Sequence, residues 1–204
     1  MPASDQGKLR VYVPATISML RELVDQRELR AINDTAFALT PALREAYASG
    51  DDEELAEVAM GEAARASLRL LAQEREAALL HAEDPTAEGE RPEAAGSETG
   101  EDAGTDYSAP VYRRAVIAAD VTGTTLRPDL DDAVVRLSGP ITYKRIASVH
   151  VDLAEAEPEV AKAVDVIDAA DLGDPDAEFV LGDAEDHQLA WYAAQELPFL
   201  LDLL

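Results

Sequence analysis

The hydrophobic pattern of the first 81 residues predicts two strands and three helices. Alternating apolar residues predict a strand over 9–13 that ends at Pro14, and a second, short strand is expected over 36–39. Capping residues followed by apolar positions at helical spacing predict helices over 17–28, 41–47 and 52–80. Gly61 is a candidate break that would divide the last of these helices into two.

After residue 110 the pattern predicts three further strands and a helix. A continuous apolar run over 115–121 is typical of a central strand that is buried on both faces. Shorter strands are expected over 133–137 and 146–151, and apolar residues at helical spacing predict a helix over 155–166.

The last 26 residues or so predict one more strand and one more helix. A short strand is expected over 179–181. Asp183, with Asp186 three residues later, resembles a capping box and predicts a final helix through Leu197 that Pro198 stops. The apolar stripe of this helix would consist of Leu189, Tyr192, Ala193 and Leu197.

The segment 82–110 differs in composition from the rest of the chain. It is rich in acidic residues, Gly, Pro, Ser and Thr, and it contains no Val, Ile, Leu, Met, Phe or Trp. Such a segment has no apolar surface to bury and its like charges repel each other. We therefore predict that 82–110 is a disordered acidic linker, and that residues 1–7 form a disordered N-terminus.

The order of these elements predicts an α/β (or α+β) fold. The first half of the chain, 8–81, offers only two strands, which is too few for a stable sheet of its own. We expect 8–81 and 111–204 to be the two halves of a single domain, interrupted by the acidic insertion. Its mixed central sheet would have about four to six strands flanked by helices. Two separate domains are the alternative.

The composition excludes several classes of function. The chain has 42 Asp and Glu residues against 17 Lys and Arg, a formal net charge of −25. Phosphate groups are bound by clustered Lys and Arg, so neither a nucleic acid nor an anionic membrane is an expected partner. The absence of cysteine excludes disulfides, Cys-ligated metals and thiol catalysis. No signal-peptide pattern and no membrane-spanning apolar run is visible, so we expect a cytoplasmic protein.

Five segments on both sides of the acidic linker carry a family resemblance. They are RVYVPAT (10–16), FALTPALR (37–44), ARASLRLL (64–71), SVHVD (148–152) and AEDHQLAWYAAQEL (184–197). Together they resemble an uncharacterised actinobacterial family that is known only as a domain of unknown function. The resemblance implies a bacterial, cytoplasmic protein and a variable acidic insertion, and it implies no activity, cofactor or catalytic residue.

The segment that most resembles a catalytic motif is Asp120–Thr124, DVTGT, directly after the predicted central strand. It matches the nucleophile loop of haloacid-dehalogenase-type phosphotransferases, which also use a Ser or Thr, a Lys and an acidic pair that holds Mg²⁺. The chain offers these in the same order: Ser138, Lys162, and the pair Asp183 and Asp186. Against this, the stretch between Asp120 and Ser138 is shorter than the ~30 residues of a parallel βαβ unit. The alternative interpretation is a turn between two strands.

The histidines suggest a second candidate site. His150 and His187 could form a two-His-plus-carboxylate metal site with Asp186 if the fold brings them together. His150 also shares a predicted strand face with Ser148 and Asp152. We do not expect a Ser-His-Asp triad there, because side chains two residues apart on one strand are about 7 Å apart. The alternative is that these histidines occupy a solvated strand face and the first turn of a helix.

The C-terminus is unusually apolar for a chain end. Trp191 lies off the apolar stripe of the predicted final helix, and the tail PFLLDLL contains Phe199, Leu200 and Leu203. These four residues are candidates for a partner-binding surface, and packing against the domain itself is the alternative.

Three functional hypotheses follow. The leading one is a non-enzymatic interaction or regulatory protein whose acidic surface binds a basic protein, or which associates with itself. The alternatives are a Mg²⁺-dependent phosphoryl hydrolase that uses Asp120, and a small-molecule-binding domain with a pocket at the strand ends near Trp191. No cofactor is expected except Mg²⁺ under the hydrolase alternative.

Overall fold

The structure, a computed structural model, describes residues 7–83 and 110–204. Most of the disorder predicted for 1–7 and 82–110 lies outside these residues, but residues 82 and 83, which the sequence placed in the linker, belong to a helix that ends at Glu83. Within them the chain forms nine strands and six α-helices: β1 Leu9–Ala15, α1 Ile17–Gln26, β2 Glu28–Leu29, β3 Thr35–Phe37, α2 Pro41–Ala46, α3 Asp52–Glu83, β4 Ala115–Val121, β5 Thr125–Leu126, β6 Val134–Arg136, β7 Ile141–Thr142, β8 Ile146–Val151, α4 Glu157–Asp171, α5 Pro175–Glu185, β9 Ala190–Ala193 and α6 Leu197–Leu201.

Seven of the described strands form a central sheet in the order β5-β6-β3-β1-β4-β8-β9, and β2 pairs with β7 in a separate ribbon. The predicted α/β class with a central sheet flanked by helices is confirmed. Every neighbouring pair in the sheet is antiparallel, where the sequence predicted a mixed sheet with fewer strands. The two strands of this sheet that the sequence did not predict, β5 and β9, have two and four residues, and such short strands carry too little alternation to be detected.

The centre of the sheet joins strands from both halves of the chain. β1 pairs with β4 from Leu9 opposite Val121 to Ala15 opposite Ala115. Pro14 does not end β1, as the sequence predicted, but lies within this pairing. Proline is tolerated there because β3, the other neighbour of β1, pairs with it only at Tyr12.

Helices cover both faces of the sheet. One face packs against α1 and α6 through a core that includes Val13, Leu20 and Ile117. The opposite face packs against α2 and α3, where Val116 contacts the core. α4 and α5 pack against the second half of α3 around Leu68. β4 is therefore buried on both faces, as its continuous apolar run predicted.

The predicted starts of α1, α2 and α3 are confirmed by their caps. Thr16 and Thr40 each accept a hydrogen bond at Oγ1 from a backbone N–H three residues later. Asp51 and Glu54 form the expected capping box, in which each side chain accepts from the backbone N–H of the other. Gly61 does not divide α3, which continues without interruption from Asp52 to Glu83.

The predictions for residues 179–197 are wrong. The expected strand over 179–181 lies inside α5, which begins at Pro175 because Asp174 caps it by accepting from two backbone N–H groups. Asp183 is therefore inside a helix, and the following strand β9 replaces the expected helix. Pro198 lies in the first turn of α6, where a missing N–H costs nothing. None of the helices in the described ranges combines the length and the hydropathy needed to cross a membrane.

Candidate functional site

An open cleft of about 630 Å³ lies between α3 and the segment that joins α5 to β9. This volume is within the range of about 300–1,000 Å³ that small-molecule sites occupy. One wall is the first half of α3, the other is formed by residues 185–189, and Arg114 before β4 completes the lining.

Arg114 and Asp152 form an almost fully buried ion pair beside this cleft. The guanidinium donates through Nε and Nη2 to the two carboxylate oxygens, each at 2.8 Å. The backbone N–H of Arg114 also donates to Asp152, and Nη2 donates to the carbonyl oxygen of His187, both at 2.8 Å. The two residues meet because β4 and β8 pair with Ala115 opposite Val151.

The remaining guanidinium nitrogen of Arg114, Nη1, has no hydrogen-bond acceptor among the described residues. No buried side-chain nitrogen or oxygen in the described ranges is left without a partner, so Nη1 is in contact with open space. Arg114 is also one of the residues that line the cleft, so we infer that the exposed surface of Nη1 faces it. The site therefore has a hydrogen-bond donor whose position is fixed by the bonds of the same guanidinium to Asp152 and to the carbonyl of His187.

The α3 wall of the cleft is acidic. Glu57 and Glu62 both line it, and neither forms an ion pair with a described residue. Partial burial and the nearby charges of Asp131 and Glu185 raise the pKa of Glu62, although its side chain remains exposed. Arg65 also lines this wall, but unlike the two glutamates it has ion-pair partners: its guanidinium is 2.7 Å from Glu178 and 3.6 Å from Glu185.

The raised pKa of Glu62 predicts that this carboxylate destabilises the fold at neutral pH. A carboxyl whose pKa is higher in the folded state contributes stability below its unfolded pKa and loses it as pH rises through the folded pKa. We expect Glu62→Gln to raise the free energy of unfolding at pH 7 by ~0.5 kcal/mol or less, given the exposure of the site. The gain should disappear near pH 4. Thermal denaturation at both pH values measures this gain, and Glu76→Gln on the exposed side of α3 is the control. A loss of stability of Glu62→Gln at pH 7 contradicts the prediction.

The residues of the hydrolase hypothesis do not surround one pocket. Asp120 lies opposite Arg10 and binds it at 2.6 and 3.1 Å, which holds the pKa of the Asp120 carboxyl below its usual range. Ser138 does lie near the turn after Asp120, where its Oγ would be 3.1 Å from a Cβ on Gly123. Ser138 lines a small pocket of about 250 Å³ whose described lining includes neither Lys162 nor the Asp183 and Asp186 pair.

Those three residues belong to the α4–α5 region. Lys162 lies on α4 and its Nζ is 3.7 Å from Glu159. Asp183 is an exposed residue of α5, and Asp186 directly follows that helix. The turn at Gly123, where φ is +76°, connects β4 to β5, as the alternative interpretation of the motif expects.

The histidines occupy two different environments. His187 follows α5, and its Nε2 is 3.8 Å from Glu159. His150 lies on β8 opposite Trp191, and burial together with the charge of Arg10 lowers its pKa. Within residues 7–83 and 110–204 no group of three His, Asp or Glu side chains is arranged to hold a metal ion.

The separation of about 7 Å expected for side chains two residues apart on a strand does not hold for Ser148 and His150. Ser148 Oγ is 3.1 Å from His150 Nε2, because the imidazole ring reaches along the strand. Asp152 does not extend this pair to a triad, since both of its carboxylate oxygens bind Arg114.

The sequence of this chain matches the model of a Family of unknown function (DUF6912) over residues 9–201. The chain belongs to this family. The match extends over both sides of the acidic segment, in agreement with the resemblance seen in the sequence. No curated protein and no solved structure matches this DUF6912 chain.

The C-terminal residues of this DUF6912 chain divide into two groups. Leu200 is buried in the core that α6 shares with α1, which is the alternative that the sequence left open. Trp191 on β9, at the edge of the sheet, and Phe199 and Leu203 are exposed.

The cleft residues Arg114, Glu57 and Glu62 were not identified from the sequence. One signal was present: Arg114 directly precedes the most apolar strand, where a charged residue must either reach solvent or find a buried partner. The glutamates carried no such signal, because they are two among many acidic residues on an amphipathic helix.

Proposed function

We propose that this DUF6912 protein is a non-enzymatic binding protein whose ligand occupies the cleft between α3 and residues 185–189. The position of Arg114 supports this most directly. Its guanidinium is fixed by Asp152 and by the carbonyl of His187, while Nη1 is available to the cleft. A rigid donor in a concave, partly apolar site is typical of small-molecule binding sites.

The lining of the cleft offers few groups for covalent catalysis. Among the described residues that line it there is no Ser, Thr, Tyr or Lys, and its possible nucleophiles are the carboxylates of the three glutamates and the imidazole of His187. The hydrolase alternative receives less support, because Arg10 engages both carboxylate oxygens of Asp120. A cytoplasmic location, an actinobacterial origin, a basic protein partner and self-association stay predictions from the sequence.

Gly61 offers a direct test of this function. It lines the cleft, and a Cβ built on it meets no atom within 4 Å. We therefore expect the ring of Gly61→Phe to occupy part of the cleft, while Gly61→Ala is the matched control that adds almost no volume. Gly61→Ala should gain about 0.5–1 kcal/mol of stability, since Gly is unfavourable inside a helix, and Gly61→Phe should gain less, because Phe is a poorer helix former than Ala.

The measurement is a screen of amines, carboxylic acids, sugars and phosphate esters by amide chemical shifts. We expect compounds that shift the amides of 57–65 and 185–189 in the wild type and in Gly61→Ala, and no such shifts in Gly61→Phe. A screen in which no compound shifts these amides, or in which Gly61→Phe binds as the wild type does, contradicts the proposed function.

A further inference from the structure

We infer that the ligand of this cleft is a small molecule that combines a protonated amine, an uncharged carbonyl oxygen and an apolar body. This inference rests on the proposed function and assigns the chemistry of the same site. Three features of the cleft carry it, one for each part of the ligand.

The acidic wall selects the amine. Glu57 and Glu62 line the cleft from α3 without a cationic partner among the described residues, and Glu185 adds a carboxylate from the opposite wall. Arg65 is a cation on the same wall of the lining, and it already binds Glu178. A protonated amine would form charge-assisted hydrogen bonds with the two free carboxylates, which are stronger than those between neutral groups.

The state of Arg114 selects an uncharged oxygen. Its guanidinium is already neutralised by Asp152, which takes up Nε and Nη2 in a bidentate pair. The remaining Nη1 is therefore a hydrogen-bond donor on a guanidinium whose positive charge the carboxylate of Asp152 already compensates. A ligand carboxylate near this donor would also be repelled by Glu57, Glu62 and Glu185, because like charges in a partly buried site interact strongly. A carbonyl oxygen accepts the same hydrogen bond without that repulsion.

The apolar part of the ligand has its own contact surface. Val58, Met60 and Leu189 line the cleft, and Gly61 leaves space where any other residue would project a side chain. Methionine adapts its shape to irregular apolar groups, so this surface suits a compact hydrocarbon or aromatic group.

Four related probes separate these requirements. Phenylalaninamide carries the ammonium, the amide carbonyl and an apolar ring. 3-Phenylpropanamide lacks the ammonium, phenethylamine lacks the carbonyl, and 3-phenylpropanoate replaces the amide by a carboxylate and has no amine. Dissociation constants from amide chemical-shift titration should show that phenylalaninamide binds more tightly than the other three compounds. The two that carry no ammonium, 3-phenylpropanamide and 3-phenylpropanoate, should bind about tenfold or more weakly than phenylalaninamide.

Variants of α3 identify the groups that hold the ammonium. Glu62→Gln should weaken phenylalaninamide binding about threefold, and the double change with Glu57→Gln about tenfold, as expected for exposed ion pairs. Glu76→Gln, the same substitution on the same helix outside the cleft lining, should leave the dissociation constant unchanged. The affinity of 3-phenylpropanamide should not respond to any of these changes.

The outcomes separate this inference from the proposed function. If 3-phenylpropanoate or 3-phenylpropanamide binds as tightly as phenylalaninamide, and Gly61→Phe abolishes that binding, the cleft is a ligand site but the assigned chemistry is wrong. Failure of all four probes to shift the cleft amides also overturns the assigned chemistry. If, in addition, the broad screen finds no compound for the cleft, the proposed function fails with it.

Discussion

Replacing Asp152 by Asn will lower the free energy of unfolding by about 3–5 kcal/mol. The substitution preserves the shape of the side chain but leaves the guanidinium of Arg114 buried without a counter-charge. The Asp152 side chain is 0% exposed and that of Arg114 only 2%, so water can reach Nη1 at most and cannot take the place of the lost carboxylate. Urea denaturation followed by far-UV circular dichroism measures the change.

The chain contains a matched control for this prediction. Arg10 and Asp120 form a similar bidentate pair between neighbouring strands, but their side chains are 47% and 40% exposed. Asp120→Asn should therefore cost no more than about 1 kcal/mol. If the two Asn variants lose equal stability, burial is not the source of the effect.

A double variant separates the cost of an unpaired charge from the value of the ion pair itself. Changing Arg114→Met together with Asp152→Leu removes both charges, and buried pairs replaced in this way often lose little stability. We expect the double variant to be more stable than Asp152→Asn alone. It should also lose the binding of phenylalaninamide to the cleft, because the Nη1 donor is absent.

The second large effect is expected at Ser67, in the middle of α3. Its Oγ donates to the carbonyl oxygen of Ala15 at 2.7 Å and accepts from the N–H of Ala115 at 3.2 Å. Ala15 and Ala115 are the last register pair of β1 and β4, so one hydroxyl connects α3 to both strands. Ser67→Ala leaves two buried backbone groups without that partner and should cost about 1–3 kcal/mol.

Ser49→Ala serves as the comparison, since Ser49 is exposed between α2 and α3. Its effect on the urea midpoint should be within experimental error, because surface substitutions rarely change stability by more than about 0.5 kcal/mol. Equal midpoints for Ser67→Ala and the wild type would show that the hydroxyl bridge does not contribute to stability.

The sequence predicted those parts of the fold whose interactions are local. Thr16, Thr40 and Asp51 each cap a helix through bonds that span three residues or fewer, so the residues that make the bond are neighbours in the sequence. The continuous apolar run of β4 likewise requires burial on both faces in any fold that contains it.

The prediction failed where a local signal competed with a tertiary contact. Residues 190–193 fit a helix by their composition, but β8 pairs with them and makes them a strand. The paired residues are about 39 to 45 positions apart in the sequence, so this pairing contributes nothing to a local pattern. The same region contained a better signal, the Asp174-Pro175 start of α5, whose cap fixes the helix that the pattern placed later.

The sequence by itself determined the caps, the apolar central strand, the two halves around an acidic segment, and the family resemblance. Only the tertiary structure decided which carboxylates matter. Arg114 selects Asp152 because β4 and β8 are in register, and α3 places Glu57 and Glu62 on the wall of a cleft. In a chain with 42 acidic residues, composition cannot distinguish a carboxylate in water from one beside a buried guanidinium. That distinction depends on burial and on distance, which exist only after the chain has folded.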